Sequence, residues 1–442
     1  MRFRGLMLGT LVLVGLAAAV YFSNKQKSAE ASKPPADAPP KIMALPDGDI
    51  SKIAIRKHDA DEVILDKNAA GKWEITFPKA YGADQDAANQ LASAAGTITA
   101  DKLIEEKASD LSGFGLKAPE AEIDITSKKS GLKKLRIGDD APANGGTYVA
   151  LAGDPRVFTV ASYTKTSLEK SLNDLRDKRL LTFDQDKLSR VELIAKKQDI
   201  EFGRDKDQWQ IVKPKPLRAD GLQVEELIRK IKDAKMDLTV SEEDAKKAAA
   251  SFGTGTPVGT VKMTDPSGTQ QLEVRKVKDD YYAKSSVVDG VHKVAADLGT
   301  ALDKSVDDFR NKKLFDFGFN DPSKIEMHSG GKTYAFQKTG EEWFANGKKM
   351  DSTSVQSFVD KLRDLAASKF IDSGTAGAPA LDVSVTSNNG KRVEKVLISK
   401  QGNDYIAQRE NEPALYGMDA KAVDDLTKAA SDVKEAQPVK KK

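Results

Sequence analysis

The stretch EVILDKNAAGKWEITF, residues 62–77, reads as strand, polar turn, strand, with Trp73, Ile75 and Phe77 alternating along its second half. Two apolar runs of period two around a short polar turn predict a β-hairpin. The same pattern returns as DIEFGRDKDQWQIV at residues 199–212 and TYAFQKTGEEWFA at residues 333–345, which sets Trp73, Trp209 and Trp343 136 and 134 residues apart. Self-similarity at a fixed spacing marks an internal repeat, so the chain reads as one module used three times.

Outward from each tryptophan the columns persist. Asp84, Asp220 and Asp351 follow at a nearly constant offset, and after them the apolar residues switch to helical spacing. An aspartate there predicts an N-cap, because its carboxylate accepts the unpaired amides of the first turn. Ala88, Leu91, Ala92 and Ala95 align with Val224, Leu227, Ile228 and Ile231, and with Val355, Phe358, Val359 and Leu362. Each set follows i, i+3, i+4, i+7, one face of a helix. Gly-rich turns ending at Pro119, Pro257 and Pro379 then precede four short strand-like segments per module, with Tyr148, Tyr282 and Tyr405 opening the third.

A final helix is expected to close each module through Leu168, Leu172 and Leu175, then Leu302, Val306 and Phe309, then Val423, Leu426 and Ala430. The first two modules leave it through nearly the same words, DLRDKRLLTF from Asp174 and DFRNKKLFDF from Asp308, matching Arg176 with Arg310 and Lys178 with Lys312. Basic residues at a helix end complement its dipole without any ligand.

The fold class expected is α+β: three tandem repeats, each a mainly antiparallel sheet with two main helices, after an N-terminal transmembrane helix. The expected organisation is a cytoplasmic stub at residues 1–5, a transmembrane anchor or signal peptide at 6–22, and a Pro/Ala/Lys-rich tether at 23–46. Modules follow at 47–183, 184–317 and 318–434, then a basic tail at 435–442.

The run LMLGTLVLVGLAAAVYF carries no charge over seventeen residues, behind Arg2 and Arg4 and ahead of Lys25 and Lys27. About 17 residues is the lower limit for spanning a bilayer. Read as a signal peptide it offers Ala17, Ala18 and Ala19 as a cleavage site; read as an anchor, Tyr21 and Phe22 suit the membrane–water boundary. Both readings put the bulk of the chain in the periplasm, with the N-terminus of an anchored chain in the cytoplasm of a bacterial inner membrane. The nineteen tether residues 23–41, with Pro34, Pro35, Pro39 and Pro40, could span up to roughly 60 Å at ~3.1 Å per residue.

Composition narrows the chemistry. The 70 basic and 67 acidic residues are interspersed, without the basic stripe that nucleic-acid binding needs. Cysteine is absent, which removes disulfides, thiolate nucleophiles and cysteine-ligated zinc. His58, His292 and His328 do not pair at i, i+4 and give no metal site. Gly253, Gly255 and Gly259 lack dinucleotide-loop spacing, and GGKT at residues 330–333 lacks the earlier glycine of a phosphate loop. DKNAAG at residues 66–71 begins like a calcium loop but has Phe77 where a glutamate is needed. Asp139 with Asp140 and Asp279 with Asp280 read as solvated turns, and no nucleophile elbow occurs. The tryptophans, at the start of strands beside an amphipathic helix, read as core packing rather than sugar-stacking platforms. No catalytic, cofactor-binding or metal residue is therefore assigned.

The words DLSGFGLKAP, KLRIG, TYVA, VFTV and LRDKRLL resemble the bacterial domain-of-unknown-function family 4340, best over residues 47–181, with the later modules as diverged copies. Members of that family carry an N-terminal membrane segment and resemble components encoded beside ABC-type export systems related to gliding-motility auxiliary proteins. The resemblance thus implies a membrane-tethered envelope accessory protein without catalytic residues. Two functions are carried forward. One is an extracytoplasmic scaffold binding an envelope protein, with an ABC-type transporter complex as the candidate partner; the other is a soluble periplasmic glycan-binding module or hydrolase. Mass spectrometry of the mature N-terminus separates the readings of residues 6–22: an anchor retains Met1, whereas cleavage leaves Val20 first.

Overall fold

The computed structural model describes residues 40–142, 146–206, 208–319 and 322–437. The expected membrane segment at residues 6–22 lies outside them, and among the described residues no helix is long and apolar enough to cross a membrane. Two compact units divide after Lys178.

In the first unit a nine-stranded antiparallel sheet is built from two halves. Ile50–Lys57, Ala60–Lys67, Trp73–Phe77 and Tyr81–Gly82 run outward in one direction; Ala121–Ser127, Gly131–Asp140, Gly146–Leu151 and Val157–Ala161 run outward in the other. The halves meet where Ile53 faces Ile125 and Ile55 faces Ile123. Lys102–Glu105 caps the far edge beside Val157–Ala161. Between the halves the helix Gln85–Gly96 covers one face.

Arg179–Lys442 holds two more sheets of the same strand order, one of eight strands around Arg190–Ala195 and Thr256–Asp265, the other of nine around Lys324–Ser329 and Pro379–Ser387. Their crossing helices are Gly221–Lys232 and Ser352–Asp364. Among the described residues the eight-stranded sheet has no far-edge strand. In its place Ser241 caps the helix Glu242–Phe252, which packs beside Val291–Val294 and buries Ala248 and Phe252.

The local signals act as their chemistry dictates. Asp84 accepts amides from Asp86 and Ala87, Asp220 from Leu222 and Gln223, and Asp351 from Ser354. The four apolar positions named for each crossing helix are all buried. Trp73, Trp209 and Trp343 are buried in three separate cores, while Phe77 at the strand end is exposed. The indole N–H of Trp73 donates to Asn89 at 3.0 Å and that of Trp209 to Glu225 at 2.6 Å, each sixteen residues on. The matching residue after Trp343 is Val359, which has no side-chain acceptor.

The expected fold class needs correction. Among the described residues strand outweighs helix, 45% to 23%, and the sheets number four rather than three. The fourth pairs Lys41–Ala44 with Thr97–Thr99; Ile42, Met43 and Leu45, read above as tether, are buried in the first core. The single closing helix also fails in two places. The helices Ser162–Leu168 and Ala296–Leu302 end, and new turns start at the capping boxes Ser171–Asp174 and Ser305–Asp308. Only Ala420–Ser431 runs unbroken. The tyrosine column slips as well. Tyr405 faces Met418 and its ladder counterpart is Tyr281, facing Val294, whereas Tyr148 faces Thr159. A one-residue shift turns a strand side chain to the other face, and Tyr148 accordingly packs on Phe114 in a separate small cluster.

Two outcomes test this account. Leu227→Ala removes a fully buried side chain and is expected to cost about 2–5 kcal/mol in urea unfolding of the second unit. Burial pushes the Asp308 carboxyl up, but the hydrogen bonds from the Ser305 amide and hydroxyl, which bind the ionised form, outweigh it and hold the pKa below its ordinary value. A depressed folded pKa stabilises fully above the unfolded value of about 3.9 and loses that contribution as pH falls through the folded one. Asp308→Asn is therefore expected to be less stable than the parent at neutral pH, with the gap in denaturant midpoint closing on acidification; a gap independent of pH would contradict the capping-box role.

Candidate functional site

The residues weighed for chemistry in the sequence are not brought together. Exposed His58, in the turn that follows Ile50–Lys57, contributes its amide to the Glu120 carbonyl. His292 meets the Asp289 carbonyl at 2.9 Å and His328 the Thr333 hydroxyl at 3.0 Å. Gly330 and Gly331 carry φ of 55° and 77°, the two-residue turn for which glycine is suited. Asn68 accepts the Ala70 and Lys72 amides and so organises the DKNAAG turn. Asp140 accepts the Thr147 hydroxyl at 2.8 Å, and Asp280 pairs with Lys293 at 2.9 Å. Among the described residues no group of three or more histidine, cysteine, aspartate or glutamate side chains could hold a metal ion.

A dense gathering of ionisable groups lies inside the second unit, where the eight-stranded sheet meets the nine-stranded one. The edge strand Leu217–Arg218 sends Arg218 into it. Its guanidinium lies 2.5 Å from Asp316 and 3.0 Å from Glu412, and donates to the Lys313 carbonyl at 2.6 Å and the Tyr416 hydroxyl at 3.2 Å. Arg409 extends the chain, reaching Glu412 at 2.8 Å, Glu394 at 3.1 Å and the Leu314 carbonyl at 2.6 Å. Arg392 closes on Glu394 at 3.1 Å. Beside this network the buried Arg310 sits 3.6 Å from the Phe370 ring centroid and 3.6 Å from Asp372.

Burial works against the Arg218 charge, but Asp316, Tyr416 and Glu412 outweigh it and raise its pKa above the ordinary value. Burial pushes the Tyr416 phenol up against the opposing pull of Arg218. Arg218, Arg392 and Arg409 thus face Asp316, Glu394 and Glu412 in an alternating, charge-balanced seam. Forked guanidinium–carboxylate contacts fix geometry as well as charge. Such a seam joins two sheets.

A cavity of about 920 Å³ opens at a corner of the nine-stranded sheet of the second unit. The Gly330–Gly331 turn, the start of Pro379–Ser387 and the helix Ala420–Ser431 bound it; Tyr405, His328, Asp382, Asp424, Thr427 and Ser431 are among its lining. Asp382 is paired with Lys395 at 3.1 Å. The equivalent corner of the first unit is filled, with Lys57 donating to the Glu169 carbonyl at 2.6 Å and Lys165 pairing with Glu120 at 2.6 Å. In the eight-stranded sheet Gly259 lies so close to Leu302 that a Cβ would stand 3.1 Å from it. Small turn residues and a longer closing helix leave the third corner open.

Removing one partner from a buried ion pair strands the others, at a typical cost of about 3–5 kcal/mol. Arg218→Ala is accordingly expected to lower the urea stability of the second unit by roughly that amount, and Arg218→Lys to recover only part of it, because one ammonium cannot replace the fork.

A family model described as Domain of unknown function (DUF4340) matches residues 73–210 and again residues 209–383, each match opening at a tryptophan. No curated protein matches the chain, and no solved structure does.

Proposed function

The chain belongs to the DUF4340 family, and from that premise we propose that it is a non-catalytic scaffold of the bacterial envelope that binds a protein partner. The observation carrying the reading is the seam in the second unit. This gathered set of ionisable groups links two sheets of one unit, which supports charged chemistry serving assembly. The open corner groove beside Tyr405 and Thr427 supplies the surface for the partner. The apolar run at residues 6–22 supports export and a membrane tether, with the bulk of the chain periplasmic and an ABC-type transporter complex as the candidate partner.

One observation favours a second reading. A groove with a tyrosine, two aspartates and several hydroxyls is of the kind that takes a sugar, which would make the protein a glycan-binding module. The two are separated by Thr427→Arg, which fills the groove from a half-buried position on the helix that lines it. On the scaffold reading, pull-down of the detergent-solubilised variant recovers several-fold less of the transporter or other envelope protein than the parent, and calorimetry with soluble peptidoglycan fragments gives no heat with either. Heat with the parent that vanishes in the variant, with no partner recovered, would replace the scaffold with the glycan reading.

A further inference from the structure

Arg218 and Arg310 stand on neighbouring segments of the second unit. The departing chain runs beside Leu217–Arg218, with a bridge between Ala219 and Arg310 and the Asn311 amide donating to the Arg218 carbonyl at 3.0 Å. The two guanidiniums are satisfied to different degrees. Arg218 spends all three nitrogens, on Asp316, Glu412, the Lys313 carbonyl and the Tyr416 hydroxyl. Arg310 is only 4% exposed, yet its side chain donates from Nη1 alone, to Asp307 at 3.0 Å, with Asp372 standing 3.6 Å from the same nitrogen. Its Nε and Nη2 have no hydrogen-bond partner among the described residues. Asp372 is itself largely exposed and shared with Lys215 at 3.6 Å. Buried polar groups are as a rule hydrogen-bonded, so unspent donors on a buried guanidinium call for something that completes them.

Both arginines line a cavity of about 330 Å³ between the two sheets. The carboxylate in its wall is Glu412, whose oxygens already accept from Arg218, Arg409 and the Tyr416 hydroxyl. Two guanidiniums face one carboxylate there, and the unspent capacity of the charged groups is on the donor side. An occupant must therefore be anionic and bring acceptors. Ile211, Leu217 and Pro413 make the rest of the wall apolar. We propose that this cavity binds a small carboxylate with a short apolar body, its two oxygens accepting side-on from Nε and Nη2 of Arg310. A planar guanidinium fork matches a planar carboxylate, and the volume falls at the lower end of the range for ligand sites, about 300–1,000 Å³. The same head group is carried by a free short-chain acid and by the C-terminus of a peptide. Arg310 belongs to the exit of the eight-stranded sheet and Pro413 to the nine-stranded one, so an occupant touches both and tightens their joint. The site shares no residue with the corner groove and does not rest on the scaffold reading.

The test is isothermal titration calorimetry of the full chain in non-ionic detergent at constant ionic strength. The probes are butyrate, an acetylated dialanine peptide, the same peptide as its C-terminal amide, and inorganic phosphate. Butyrate or the free-acid peptide is expected to give saturable heat and to raise the thermal midpoint, since a ligand that binds only the folded state stabilises it. Tighter binding of butyrate assigns the site to a free acid, and tighter binding of the peptide assigns it to a C-terminus. Arg310→Lys keeps the charge without the fork and is expected to weaken binding by about tenfold or more. Pro413→Trp narrows the cavity from its exposed rim with Arg310 in place, and is expected to abolish the heat while leaving the far-ultraviolet circular dichroism unchanged. No saturable heat with either carboxylate, equal heat from phosphate or the amide, or binding that survives both substitutions overturns the proposal.

Discussion

The aspartate at the start of each crossing helix is bonded in two directions, and the rest of each module follows from that. Its carboxylate accepts helix amides, while its own backbone N–H donates to the departing segment: Asp84 to Leu175 at 2.8 Å, Asp220 to Phe309 at 2.7 Å, Asp351 to Lys434 at 2.8 Å. One residue thus fixes where the helix begins and where the chain leaves. The tryptophan two strands earlier is held beneath the helix, and the exit words run straight on to supply apolar residues to the core that follows. Leu180, Leu181 and Phe183 pack in the core of the eight-stranded sheet, and Leu314, Phe315 and Phe317 in that of its nine-stranded neighbour.

What was legible in the sequence is what neighbouring residues decide. Helical faces such as Val224, Leu227, Ile228 and Ile231 repeat every three to four positions, and their caps sit one turn away. Turn glycines such as Gly330 and Gly331 act within two residues. The balance of strand over helix was hidden by short edge strands, since Lys102–Glu105 and Lys369–Ile371 are too brief to give a period. The seam was hidden more deeply. Arg218 meets Asp316, Glu412 and Tyr416 at separations of 98 to 198 residues, and its column holds Gly82 and Lys349 in the sister sheets, so no repeat singled it out. Arg310 stood in a repeated word, but its burial depends on Phe370, which only the fold brings near. The corner groove gave no motif because it arises from what is missing, the lysine and glutamate that fill the same corner in the first unit.

Electrostatics also explains why the sheets remain one-sided. Their uncovered faces carry alternating charges: Arg56 with Glu122 and Asp124, and Lys134 with the same pair, in the first unit; Arg190 with Glu192 and Glu201, and Lys213 and Lys262 beside them, in the second. Half-exposed pairs of this kind add little stability. They keep a broad flat surface wet and leave edges and corners as the places where specific contact is made.

The meeting of the two sheet halves carries a consequence for how the molecule forms. At that central ladder Ile53 faces Ile125, Leu193 faces Val261 and Ile325 faces Val385, pairs 72, 68 and 60 positions apart. Every other rung lies in a hairpin or beside an edge. Long loops must close before non-local pairs are rewarded, which slows a fold. Each sheet is therefore expected to close its middle late, after the two meanders have gathered from neighbouring residues and the crossing helix has swung across. The emerging chain exposes two unpaired inner strands per sheet during that interval, and the halves that pair late are also the line along which a pulled sheet would part.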